Sequence, residues 1–180
     1  MTSCAATCAR LPDGIDFPAQ ALSIVSRSRP PKGGPRGYDA GKKICGRKRH
    51  LLVDTLGLLL RIVVHPANVQ DRDGARLLLE PLARTFLSLR HLWANGGYAG
   101  ELVQWVGKLR GRLKPLRMEI VRRSDDVRGF KVLPRRWVVE RTFGWWNRFR
   151  RLSKDYEFHT STSEAMIHLV MIAIMLRRLV

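Results

Sequence analysis

His50-Leu51-Leu52-Val53, Asp54-Thr55-Leu56-Gly57 and Leu58-Leu59-Leu60-Arg61-Ile62-Val63-Val64 follow one another without a break. Two apolar runs of strand length on either side of a short, glycine-ended turn read as a β-hairpin. Downstream, Gln70-Asp71-Arg72-Asp73-Gly74 leads into Ala75-Arg76-Leu77-Leu78-Leu79-Glu80-Pro81-Leu82, and the acidic start suits a helix N-terminus. Leu89-Arg90-His91-Leu92-Trp93-Ala94 reads as a short buried strand, stopped by Asn95-Gly96-Gly97. Helical spacing returns over 100–113 at Leu102, Val103, Val106 and Leu109, and Met118-Glu119-Ile120-Val121-Arg122-Arg123 alternates as a strand. Helices are predicted over 135–151 and 163–179, the second capped by Thr162 or Ser163 with Glu164 in its first turn. The order β-β-α-β-α-β-α-α predicts an α/β sheet flanked by helices.

Upstream of the hairpin the pattern weakens. Residues 30–37 are basic and turn-rich, and 1–32 has no sustained period beyond a possible short strand at Ala21-Leu22-Ser23-Ile24-Val25. Residues 1–32 are therefore expected to be irregular, and 33–180 to form one folded domain.

The chain has 180 residues, 45% of them hydrophobic, which is enough for one domain with a real core. With 33 Lys and Arg against 15 Asp and Glu, it carries a formal charge of +18. An excess of that size repels itself unless an anion neutralises it, and nucleic acid is the usual anion. The basic residues are mostly Arg, interleaved with aromatics, and guanidinium forks suit phosphate better than solubility alone requires. Three cysteines without paired spacing fit a reducing, cytoplasmic setting, with association to the nucleoid following from the charge. The longest apolar run, 166–176, is too short to span a bilayer and is expected to form a buried C-terminal helix. The first residues lack a signal-peptide pattern, so no membrane partner is expected.

Five motifs carry a more specific message. They are Gly37-Tyr38-Asp39-Ala40-Gly41-Lys42-Lys43, Gly46-Arg47-Lys48-Arg49-His50, Asn68-Val69-Gln70-Asp71-Arg72-Asp73-Gly74, Trp93-Ala94-Asn95-Gly96-Gly97-Tyr98 and Trp137-Val138-Val139-Glu140-Arg141-Thr142-Phe143. In this order they resemble the catalytic domain of DDE transposases of the insertion-sequence-five group. The resemblance implies a ribonuclease-H-like mixed sheet flanked by helices. It also implies DNA cleavage and strand transfer at terminal inverted repeats by two divalent ions, Mg2+ or Mn2+, about 4 Å apart. The partners implied are the inverted repeats and target DNA, with a homo-oligomer possible in the transposition complex.

The family's three metal carboxylates can be sought one by one. Glu140 matches the family's Glu and is the candidate metal ligand, with Arg136 four residues before it. Leu133 stands where the wider signature has Tyr, and Asn147 where it has Lys. Asn95 occupies the position of the second Asp, and an amide lacks the charge that drives magnesium binding. The first Asp belongs to an Asp-Ser-Gln-Ser-Val-type motif just before Gly33, where this chain has Ile24-Val25-Ser26-Arg27-Ser28-Arg29. Ser23 to Lys32 can be encoded so that reading from the third base yields Asp-Ser-Gln-Ser-Val-Lys-Ala-Thr-Glu. Residues 1–32 are therefore expected to be out of frame, with the first strand missing or replaced and catalysis defective. A specificity-determining N-terminal region is expected to be lacking.

Candidate DNA contacts are Lys42, Lys43, Arg47, Lys48 and Arg49, with turn glycines at Gly41 and Gly46, Arg135, Arg136 and Arg141 around Glu140, and Arg148, Arg150, Arg151 and Lys154 beyond it. Asp39 and Asp54 read as loop and turn residues, Asp71 and Asp73 as structural, and Asp125 and Asp126 as solvated. His65, His91 and His168 read as packed and neutral, because no second ligand stands at metal spacing. Phe149, Leu152 and Tyr156 read as core, with at least one of Trp145 and Trp146 buried. The reading from a different class is a DNA-binding protein without chemistry, such as a transposition inhibitor. A third is an unfolded remnant.

Overall fold

The hairpin is present and longer than its apolar runs. In a computed structural model, which describes residues 17–26, 34–111, 115–121 and 137–178, it comprises β3 (Ile44–Asp54) and β4 (Leu59–Pro66). Asp54 makes the turn: its Oδ1 accepts from the backbone N–H of Leu56 at 2.9 Å and of Leu58 at 2.8 Å. Gly57 follows at φ +81°, a conformation that a side chain would oppose.

The other strands are β1 (Phe17–Ser26), β2 (Gly37–Asp39), β5 (Leu89–Asn95) and β6 (Arg117–Val121), and all six share one mixed sheet. β1 is central: it pairs antiparallel with β3 and parallel with β5, while β6 continues parallel beyond β5. β4 pairs with β3, and β2 pairs with the first residues of β3. Two expectations are corrected here. A strand lies at 17–26, inside the segment expected to be irregular, so the first strand is not missing. Asp39, read as a loop residue, is the last residue of a short strand.

Alternation along β3 divides the core in two. Leu52 joins Leu92, Ala94 and Met118 under α1 (Asp71–Thr85) and α2 (Glu101–Lys108). Leu51 and Val53 join Ile62 and Val64 under α3 (Trp137–Asn147) and α5 (Thr160–Leu176). The helix expected over 135–151 is instead α3 and a separate short α4 (Arg150–Ser153), joined through Arg148 and Phe149. α5 starts earlier than expected, with His159 rather than Thr162 or Ser163 at its N-cap. Glu164 accepts from the backbone N–H of Val64 at 2.7 Å and so ties α5 to β4. Nor is α5 buried all round: Ile167, Val170 and Met171 face the core, while Leu169, Ile172 and Leu176 are exposed. No helix among the described residues is long and apolar enough to cross a membrane.

Candidate active site

Asn95 is the last residue of β5, and the register brings that end of β5 beside β1, where Ala21 pairs with Ala94. Its Oδ1 accepts from the N–H of Gly97 at 3.1 Å, capping a short 3-10 turn over Gly96–Tyr98. The Asn95-Gly96-Gly97 stop signal therefore works through the side chain itself. Ala94 belongs to the α1–α2 core, so alternation turns Asn95 to the other side of the sheet. Glu140 is exposed on α3, on that same side. α3 contacts β1, so the helix carrying Glu140 and the strand carrying Asn95 are grouped around one central strand.

The position of α3 is fixed from the β3–β4 turn. Arg141 donates from Nη2 to Leu56 O at 2.7 Å, and Thr142 from Oγ1 to Gly57 O at 2.9 Å. Arg141 also lies over the rings of Trp137 and Trp145, at 4.4 and 4.9 Å from their centroids. It is thus half-buried and largely committed to holding the helix, although it was expected at the DNA. Arg135 and Arg136 lie outside the described residues.

A second polar group stands at the same end of the sheet. Lys48 Nζ is 3.2 Å from Asp39 Oδ2 and 3.1 Å from Asp71 Oδ1, and donates to Val69 O at 2.8 Å. A Cβ on Gly97 would stand 3.2 Å from Asn95 Oδ1 and 3.4 Å from Asp71 Oδ2, so both side chains lie against the Gly96–Tyr98 turn. Burial raises the Asp39 pKa, but the Lys42 N–H bond and the Lys48 ammonium outweigh it and hold the carboxyl below its ordinary value. Behind this group His50 and His65 stack with centroids 4.6 Å apart, and His50 Nδ1 lies 2.8 Å from Tyr98 Oη. Gly74 of α1 rests on both rings: a Cβ there would fall 2.4 Å from His50 Nε2 and 2.5 Å from His65 Nε2.

The basic cluster expected at DNA divides. Lys42 and Lys43 are exposed on the β2–β3 turn. Arg47, Lys48 and Arg49 are only 0, 5 and 3% exposed, so the expectation that they contact phosphate is corrected. Arg47 pairs with the equally buried Asp155 at 3.2 Å and donates to the carbonyls of Pro35, Glu157 and Phe158. Arg49 donates to Leu152 O at 3.1 Å. Strand alternation sends Arg47 and Arg49 into the α4 side and Lys48 into the α1 side, and the basic run could have been read that way once β3 was extended back to Ile44. Arg148, Arg150, Arg151 and Lys154 are exposed, with Arg151 paired to Glu157 at 2.5 Å. Of the other readings, Trp146 and Leu152 are buried, while Tyr156 is exposed and not core; His168 is exposed rather than packed.

The divalent-ion site of the family can be tested on these residues. Among the described residues no three His, Cys, Asp or Glu side chains come together as metal ligands. Asn95 offers one uncharged oxygen already bonded to Gly97, and the sequence of β1 contains no carboxylate. The residues present do not fit a two-ion centre.

The chain is a member of the DDE transposases: the family's model, Transposase DDE domain, matches residues 10–176. A putative transposase for insertion sequence element IS402 from Burkholderia cepacia is 30% identical over 150 residues, 77% of this chain and 66% of that relative. The match thus spans just under two thirds of the relative's length. No solved structure matches the chain.

Proposed function

We propose that the chain is a ribonuclease-H-like catalytic domain of an insertion-sequence transposase that keeps its DNA-binding surface but has lost metal-dependent cleavage and strand transfer. The observation that carries this is the state of Asn95. It sits at the end of β5 next to the central strand, and its amide oxygen serves as a turn cap rather than as a charged ligand. Support for the fold comes from the strand order β4-β3-β1-β5-β6, antiparallel on one side of β1 and parallel on the other. Glu140 is the one family carboxylate retained, and Mg2+ or Mn2+ binding is impaired accordingly.

Residues 1–32 are read as out of frame, although 17–26 supply β1, so the folded domain extends back from 33–180 to include that strand. The shifted reading would place its Asp at about Ile24, two residues beyond the β1 position level with Asn95. The coding DNA upstream of Gly33, read in all three frames, tests this. Absence of an Asp-Ser-Gln-Ser-Val reading would refute it.

The functional test uses the purified chain and a duplex ending in the inverted repeat that flanks its own gene, with Mg2+ or Mn2+ present. Binding without cleavage is expected, and cleavage by the unmodified chain would overturn the proposal. Exposed Lys42, Lys43, Arg148, Arg150 and Lys154 favour retained binding, and with it a second reading as a non-catalytic inhibitor acting at inverted repeats. Association with the nucleoid and a homo-oligomeric DNA complex belong to the same proposal.

A further inference from the structure

The ends of α3 and α5 meet far from one another in sequence. Trp145, Arg148 and Phe149 on one side and Ile174, Arg177 and Arg178 on the other line a single open cleft. Arg178 lies over the Trp145 ring at 4.3 Å from its centroid, with Arg141 at 4.9 Å from the same ring. Both guanidiniums reach one carbonyl, Leu56 O, at 3.5 Å from Arg178 and 2.7 Å from Arg141. Burial and the neighbouring Arg178 charge both lower the Arg141 pKa, a sign of like charges crowded together. Among the described residues no carboxylate forms an ion pair with Arg148, Arg177 or Arg178.

Three exposed guanidiniums around an aromatic floor, with no ion-pair partner among the described residues, form a concave surface for an anion with several acceptor oxygens. Position along the helix narrows the choice. Trp145 is five residues after Glu140 in one helix, about 7.5 Å further along its axis and about 140° round it, so the cleft opens beyond Glu140 on a neighbouring face of α3.

We propose that this cleft grips successive backbone phosphates of the DNA strand that passes Glu140, with Arg148, Arg177 and Arg178 as the phosphate-binding forks. The inference rests on the DNA-binding reading above and assigns it a place. The test measures affinity for a short fluorescein-labelled duplex by anisotropy over a series of salt concentrations. Full-length wild type is compared with Arg177→Ala/Arg178→Ala and with a charge-matched control, Arg84→Ala/Lys108→Ala, at exposed positions on α1 and α2.

Each lost phosphate contact lowers the slope of log affinity against log salt by about 1. The cleft variant should therefore lose about 2 from the slope and bind roughly tenfold more weakly or worse at low salt, while the control keeps the wild-type slope. Arg148→Gln is an independent variant at an exposed position and should lose about 1, with thermal melts confirming folding. An unchanged slope in both cleft variants, or an equal fall in the control, overturns the inference and leaves DNA binding intact. A wild-type chain that shows no salt-dependent binding overturns the DNA reading as well.

Discussion

His50 Nδ1 and Tyr98 Oη stand 2.8 Å apart in the interior, joining the middle of β3 to the turn that follows Asn95. Both residues are buried, so neither atom has water as an alternative partner. Tyr98→Phe should leave the imidazole unsatisfied and cost about 1–3 kcal/mol, read as a lower urea midpoint at unchanged slope. A variant as stable as wild type would show that the bond does not hold the turn.

Acid should destabilise the protein well above the usual carboxylate range. Burial, then the neighbouring His65, pushes the His50 pKa down to about 3, and burial likewise lowers that of His65. Both rings are neutral when folded and take up protons more readily when unfolded. Their contribution is complete above the unfolded pKa of about 6.5 and is lost as pH falls from there toward about 3. Thermal midpoints measured from pH 7 to pH 4 should fall, and His50→Gln should flatten that fall. An equally steep decline in the variant would place its origin elsewhere.

The buried Arg47–Asp155 pair should be intolerant of single changes. Arg47 has its remaining donors on three carbonyls, so removing Asp155 strands a guanidinium without a counter-charge. Asp155→Ala should cost about 3–5 kcal/mol in denaturant unfolding. A loss below about 1 kcal/mol would mean that the carbonyls alone suffice.

Stability and DNA affinity should separate within the basic cluster. Lys42→Ala/Lys43→Ala changes exposed residues and should lower DNA affinity with the melting midpoint nearly unchanged. Arg49→Ala should do the reverse, lowering the midpoint first, because Arg49 is buried and bonded to Leu152 O. Equal effects on both properties from both variants would contradict this division.

Asn95→Asp should restore one carboxylate without restoring chemistry. Asp caps turns as well as Asn, so stability should stay within about 0.5 kcal/mol. Nicking of plasmid DNA in Mn2+ should remain at background until a first Asp is also introduced on β1. Nicking by the single variant would show that Glu140 and one Asp are enough.

The sequence by itself determined the hairpin, the order of the later strands and helices, and the family, because periodicity and turn chemistry are local and the motifs are contiguous, but it ran α3 and α4 together and started α5 late. Asn95 and Glu140 are candidates of the same kind, each picked out by its own motif. Only the tertiary structure decided the fate of the basic run: alternation within a strand longer than its apolar part buried Arg47, Lys48 and Arg49, and partners as distant as Asp155 and Asp71 pair with Arg47 and Lys48. It alone brought Arg178 to Trp145 and Asp71 to the turn after Asn95, since those contacts depend on which helix ends the sheet draws together. The strand at Phe17–Ser26 belongs to that second class too. Its own residues give only a weak signal, and it takes its place from the pairing that β3 and β5 provide on either side.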